Sequence, residues 1–156
     1  RHKHDIVAVA TVQEEVGLRG ALVSTERLKP DIAVAIDVTH AQTLDTKKQV
    51  PIQVAKGPVI TKGPNIHPKI YTLLTRCAQE NRIPFQVQPV AGATGTDARV
   101  IQLAACGIPT GLLSIPLKYM HTSVETLSLQ DIVHCGQLLA GFISALPDNL
   151  EEILCY

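Results

Sequence analysis

The chain has 156 residues, of which 46% are hydrophobic and 3% aromatic, and its 14 basic residues balance 14 acidic ones. This length and apolar content predict one compact domain with a sizeable core. The balanced charge, without a basic cluster, argues against nucleic-acid binding. No apolar run approaches the ~20 residues that a membrane span needs. The lack of a signal-peptide pattern favours a cytoplasmic protein.

Apolar runs and helical patterns alternate along the chain. This alternation predicts an α/β fold, a three-layer αβα sandwich around a mixed, mostly parallel sheet. Near-continuous apolar runs are typical of strands covered on both faces, and a region rich in proline and glycine carries two short extended pieces. In chain order we expect strand 5–12, helix 18–28, strand 31–38, loop 51–64, helix 67–81, strand 85–90, helix 97–106, strand 110–115 and helix 129–146.

Four widely spaced cysteines form no CxxC motif. They predict buried, reduced thiols rather than disulfides or a zinc cluster. These residues are Cys77, Cys106, Cys135 and Cys155.

Two adjacent carboxylates, Glu14 and Glu15, follow the first predicted strand. In an extended segment neighbouring side chains point to opposite faces, so the two glutamates would have different tasks. One could bind a metal while the other removes a proton from the metal-bound water. On the dipeptide alone, a pair of exposed acids at a strand end remains the alternative.

Two further residues that could bind a metal lie near the ends of other predicted strands. Asp37 lies at the end of the second strand, and His121 lies in the segment that follows strand 110–115. Ligands of such sheets bind beyond the carboxyl ends of the strands. Carboxylates with an imidazole suit zinc, cobalt or manganese with a position open for water. Taken singly, Asp37 could be a turn or capping residue and His121 a loop histidine.

Four motifs carry a family resemblance. They are TVQEEVGLRGA at 11–21, AIDVTH at 35–40, GTDA at 95–98 and IPLKYMHT at 115–122. In this order they resemble the deblocking and glutamyl aminopeptidases, tetrahedral dinuclear metallo-aminopeptidases also labelled cellulase M or endoglucanase. The resemblance implies a zinc-exopeptidase-like fold and hydrolysis of N-terminal residues from peptides. It implies two zinc or cobalt ions, with Glu14 as general base, Glu15 and His121 as ligands of one metal, and Asp37 as a ligand of the other.

The GTDA motif is expected to shape the rim of the substrate pocket through Gly95, Thr96 and Asp97. Asp97 has a second interpretation of at least equal weight, as the N-cap of a helix over 98–106, and the two interpretations are compatible.

The resembled family also takes a histidine and a metal-bridging aspartate from upstream of the Glu-Glu motif, with a dimerisation domain inserted between them. In this sequence the only aspartate and histidine side chains before Glu14 are those of Asp5 and two histidines close to it. Residues 1–156 are therefore expected to be the C-terminal portion of a catalytic domain and inactive alone. The expected partners are peptides with a free N-terminus and, at full length, further copies in a homo-oligomer, the family's dodecamer. Neither nucleic acid nor membrane is an expected partner.

Three other functions remain open. The older family label suggests a glycosidase, which would place two carboxylates about 5 to 9.5 Å apart around a sugar. A metal chelator would leave the activity of a glycosidase unchanged. A non-catalytic binding or assembly module of the same fold would need no metal, so a zinc titration would identify it. Related co-catalytic zinc exopeptidases or deacylases also carry a Glu pair, but the stretch 16–21 favours the aminopeptidases.

Overall fold

The computed structural model describes residues 2–46 and 51–154. These residues form five helices and five strands, interspersed along the chain. The helices are α1 (Arg19–Leu28), α2 (Pro68–Glu80), α3 (Ala98–Ile101), α4 (Leu129–Ala145) and α5 (Glu151–Leu154), and the strands are β1 (Ala33–His40), β2 (Val59–Lys62), β3 (Gln86–Pro89), β4 (Thr110–Lys118) and β5 (Thr126–Leu127).

The strands form one mixed sheet in the order β1-β4-β2-β3, with β5 also paired to β4. β1 runs parallel to β4 from the pair Ala33 and Thr110 to the pair His40 and Leu117. β2 is antiparallel to β4, and β3 is parallel to β2. The parallel β1–β4 pair brings the carboxyl end of β1 next to the loop that follows β4.

Helices cover both faces of the sheet, which confirms the predicted three-layer α/β architecture. On one face α2 and α4 bury Leu74 and Leu138 against Leu113 of β4. Pro68 begins α2, at a position where the missing N–H leaves no helical bond unmade. On the other face α3 packs on β1 and β4, and α1 packs on α3. Asp37 is two residues from Ala35, whose side chain lies in this second core, so both belong to the α3 face.

The predicted first strand is wrong for this structure. Residues 5–12 belong to none of the strands formed by the described residues, and nearly all of them are exposed. An apolar run indicates that a segment gains by burial, but a strand also needs a neighbour for its N–H and C=O groups. Among residues 2–46 and 51–154 no strand provides one.

The helix predicted over 97–106 is shorter than expected, because α3 ends at Ile101 and a turn follows. Ala105 and Gly107 both have positive φ, at 52° and 90°, which is incompatible with helix. Cys106 is consequently exposed, so the expectation of a buried thiol is wrong there. Cys77 and Cys135 are buried and free as predicted, and Cys155 lies outside the described residues. None of the described helices is long and apolar enough to cross a membrane.

Candidate functional site

The Glu14–Glu15 pair lies on a turn. The Glu14 carbonyl accepts hydrogen bonds from the N–H groups of Gly17 at 3.2 Å and Leu18 at 2.9 Å, and α1 begins directly afterwards. Gln13, just before the pair, has a left-handed φ of 58°. The opposite-face argument for an extended segment therefore does not hold here, although the two side chains do have different surroundings.

Glu15 contacts His121, which is 106 residues away in the sequence. The His121 Nε2 and Glu15 Oε1 atoms are 2.9 Å apart. Both side chains are largely exposed, at 67% and 71%, so the contact is open to solvent. His121 itself has a φ of 62°, and its N–H donates to Glu125 Oε1 at 2.7 Å.

Glu14 is less exposed than Glu15 and lies among other carboxylates. Partial burial is the largest cause that raises the pKa of Glu14 above its ordinary value. Neighbouring negative charges raise this pKa further, and the His121 imidazole opposes them. These charges belong to Asp37, Glu15 and Asp97.

Asp37 lies on β1, three residues before the strand ends, and is partly buried. Its Oδ1 accepts the Val38 N–H at 2.7 Å. Burial raises the pKa of Asp37, the Val38 bond lowers it, and the charges of Asp97 and Glu15 raise it again. Asp37, Glu15 and Glu14 are thus within electrostatic reach of one another.

The GTDA motif is near the same site, but the side chain of Asp97 does not cap a helix. Asp97 occupies the N-cap position of α3, as predicted, but its side chain makes no cap bond there. Asp97 Oδ2 instead accepts a hydrogen bond from Thr11 Oγ1 at 2.7 Å. Thr96 Oγ1 donates to Thr94 Oγ1 at 3.1 Å, and Gly95 is exposed with open space where a Cβ would lie.

Two contacting residues, Thr11 and Glu125, were not selected from the sequence as site residues. Thr11 is hydrogen-bonded to Asp97, which is 86 positions away, and no local sequence pattern predicts such a contact. Glu125 follows His121 by four residues. This spacing predicts a contact between the two residues only if the backbone is known to turn between them.

Glu15 and His121 have side chains of the types that hold zinc, and in this structure they contact each other directly. Two ligands of one tetrahedral zinc ion are roughly 3.3 Å apart for bonds of about 2.0 Å, and the two atoms here are 2.9 Å apart. No three His, Cys, Asp or Glu side chains within residues 2–46 and 51–154 are grouped closely enough to hold a metal. The structure therefore brings a carboxylate and an imidazole into contact, with Asp37 within electrostatic reach of Glu15.

The amino-acid sequence is similar to those of known peptidases. The model of the M42 glutamyl aminopeptidase family matches residues 1–138. A lysyl aminopeptidase from Pyrococcus furiosus is 41% identical over 145 residues, which cover 93% of this chain and 42% of that protein.

Solved structures show the same fold. An aminopeptidase from the archaeon Desulfurococcus kamchatkensis superposes with a TM-score of 0.84 at 38% identity, over 92% of this chain and 42% of that one. The TET1 peptidase of Pyrococcus horikoshii, described as assembling into a tetrahedron or a large octahedral shell, gives 0.71 at 32% identity, over 87% of this chain and 40% of that one. The chain thus spans about two fifths of the length of the relatives it matches.

Proposed function

Because the chain belongs to the M42 glutamyl aminopeptidase family, we propose that it takes part in metal-dependent removal of N-terminal residues from peptides. The observation that carries the proposal is the contact between Glu15 and His121, 2.9 Å apart, beside Glu14. It joins the turn before α1 to the loop after β4. Carboxylate and imidazole ligands with a further carboxylate nearby are typical of co-catalytic metal sites.

In this proposal Glu15 and His121 hold one zinc or cobalt ion and Asp37 contributes to the second, with the remaining ligands coming from other groups. Bound in this way, the ions would polarise the scissile carbonyl and lower the pKa of a water molecule from its bulk value towards about 7. The negative charges that raise the pKa of Glu14 and Asp37 favour the binding of cations here.

Glu14 is the proposed general base. A carboxylate oxygen of Glu14 takes a proton from the attacking water and returns it to the leaving amine of the first peptide bond. The position of Glu14, directly before Glu15 and less exposed than it, supports this role. Gly95, Thr96 and Asp97 are proposed to form the pocket rim. By analogy with the TET1 peptidase, we also propose a homo-oligomer, and a cytoplasmic location.

The proposal is tested on the intact gene product loaded with zinc or cobalt. We expect hydrolysis of an aminoacyl p-nitroanilide, no hydrolysis of its N-acetylated form, and loss of activity with a chelator. Restoring the metal should restore the activity. Peptidase activity that survives the chelator would contradict metal dependence, and chelator-resistant hydrolysis of an oligosaccharide would support a glycosidase.

A non-catalytic module of the same fold is the second candidate, favoured by the lack of a three-ligand group among the described residues. Calorimetric titration with zinc separates the two functions. Saturable zinc binding by the intact gene product that Glu15→Ala and His121→Ala both weaken supports the enzyme. Absence of zinc binding and of hydrolysis supports the module.

A further inference from the structure

Asp97 makes a long-range contact that the proposed proton transfers do not use. Its Oδ2 accepts the Thr11 hydroxyl at 2.7 Å, although the residue stands at the N-terminus of α3, where a side-chain cap bond would be expected. Its Oδ1 is buried without a hydrogen-bond partner among the described residues. The carboxylate is therefore directed at Thr11 rather than at its own helix.

Thr11 begins the short stretch that leads into the Glu14–Glu15 turn. This stretch is held on its other side by α1, because the Gly20 N–H donates to the Val12 carbonyl at 2.9 Å. The two backbones are so close that a Cβ on Gly20 would lie 2.4 Å from the Val12 oxygen. Asp97 and Gly20 thus attach consecutive residues of the stretch to different elements.

Helix α3, which Asp97 precedes, packs on β1, the strand that carries Asp37. The hydrogen bond from Thr11 to Asp97 therefore connects the stretch before the glutamate turn to the start of the helix that packs on the Asp37 strand. The placement of the glutamate turn matters for proton transfer, since a general base must stand within about 2.6 to 3.2 Å of its target. A misplacement of ~1 Å can lower a rate by about a hundredfold.

We infer that Asp97 is a positioning residue, which through Thr11 holds the turn of Glu14 and Glu15 at a fixed place relative to Asp37. The inference rests on the proposed function for its catalytic consequence only. The contact between Asp97 and Thr11, and its effect on the turn, can be measured separately from activity.

The test compares Thr11→Val, which keeps the shape of the side chain but removes the donor, with Thr11→Ser, which keeps the donor. Residue-resolved hydrogen exchange is followed at the amides of Leu18 and Gly20, which bond to the Glu14 and Val12 carbonyls. We expect exchange at both to accelerate by about tenfold or more in Thr11→Val and to stay close to wild type in Thr11→Ser. The control amide is Tyr71, bonded to the His67 carbonyl in α2, which should not change.

In the metal-loaded intact gene product, Thr11→Val should lower kcat with little change in KM, because Glu14 acts on water rather than on the bound peptide. Asp97→Asn, which can still accept the Thr11 hydroxyl, should lower kcat less than Asp97→Ala. Unchanged exchange in Thr11→Val, equal losses in Thr11→Val and Thr11→Ser, or equal acceleration at Tyr71 would each overturn the inference. A wild-type protein without peptidase activity but with the expected exchange pattern would refute the proposed function and leave the positioning contact standing.

Discussion

Glu14 and Glu15 are neighbours in the sequence, yet the fold gives them different chemistry. Glu15 is exposed and paired with His121, which suits a ligand that a cation can reach. Glu14 is partly buried, and its burial and the neighbouring negative charges raise its pKa. The division of tasks that we propose rests on this difference in surroundings.

For the first prediction, Glu14→Gln should retain zinc affinity and lose turnover, because an amide cannot accept the proton of the water. We expect kcat to fall by about 10²- to 10⁴-fold. Calorimetry for zinc and a p-nitroanilide assay on the intact gene product provide the two measurements. Glu80→Gln, on the exposed face of α2, is the matched control and should change neither. Near-normal turnover of Glu14→Gln with zinc bound would assign the base to another group.

The second prediction concerns His67, which is 6% exposed. Burial lowers the pKa of His67 below its ordinary value of 6.5, and the charge of Lys69 lowers it further. The unfolded chain therefore binds the proton more readily than the folded one. The contribution of His67 to the free energy of unfolding is fully present above pH 6.5. It is lost as the pH falls through 6.5 towards the lower pKa of the folded state.

His67→Gln, which cannot be protonated, should remove part of this dependence. Urea unfolding of wild type and variant between about pH 7.5 and pH 5.5 measures it. The wild type should lose more stability than the variant over this interval. Equal losses in the two proteins would show that His67 does not contribute.

Among the secondary-structure elements, α1 makes the closest backbone contact with the glutamate turn, through Gly20. Alanine is favoured over glycine in a helix by about 1 kcal/mol, but at Gly20 its Cβ would lie 2.4 Å from the Val12 oxygen. The third prediction is therefore that Gly20→Ala lowers the free energy of unfolding and displaces the turn.

Gly136 of α4 is the matched control, because a Cβ there would have no atom within 4 Å. Gly136→Ala should stabilise the protein by roughly 0.5 to 1 kcal/mol. Urea unfolding of both variants provides the comparison. If Gly20→Ala were stabilising to the same degree, the close approach of α1 to Val12 would be of no consequence.

Sequence patterns predicted the packed elements better than the site-forming segments. The apolar runs of β1 and β4 and the helical periodicity of α4 are properties of each segment, so they could be recognised locally. The strand predicted over 5–12 was wrong because a partner strand is not a property of the segment. Glu15 and His121 lie in contact as expected, but Glu15 lies on a turn rather than at a strand end, and the metal-binding role of both stays a prediction. The bond between Thr11 and Asp97 depends on folded geometry that no pattern encodes.

At the scale of the whole molecule, the sheet formed by the described residues has edge strands β1 and β3, and the helices leave part of β1 uncovered. β1 pairs only with β4 among the described residues, and Ile36 on it is 52% exposed. The segment 5–12 adds exposed valines and an isoleucine. Open strand edges and clustered apolar side chains both favour association between molecules.

The fourth prediction is that residues 1–156, expressed alone, associate through the segment 5–12. Light scattering after size exclusion should give an average mass above that of the monomer, which rises with concentration. Val7→Lys should shift the mass towards the monomer, because Val7 is 63% exposed within this segment and a lysine there opposes apolar contact. Val133→Lys, at a 48% exposed position of α4, is the matched control and should leave the mass unchanged. A monomeric wild type at all concentrations would contradict the prediction, and an effect of Val133→Lys alone would place the associating surface on α4.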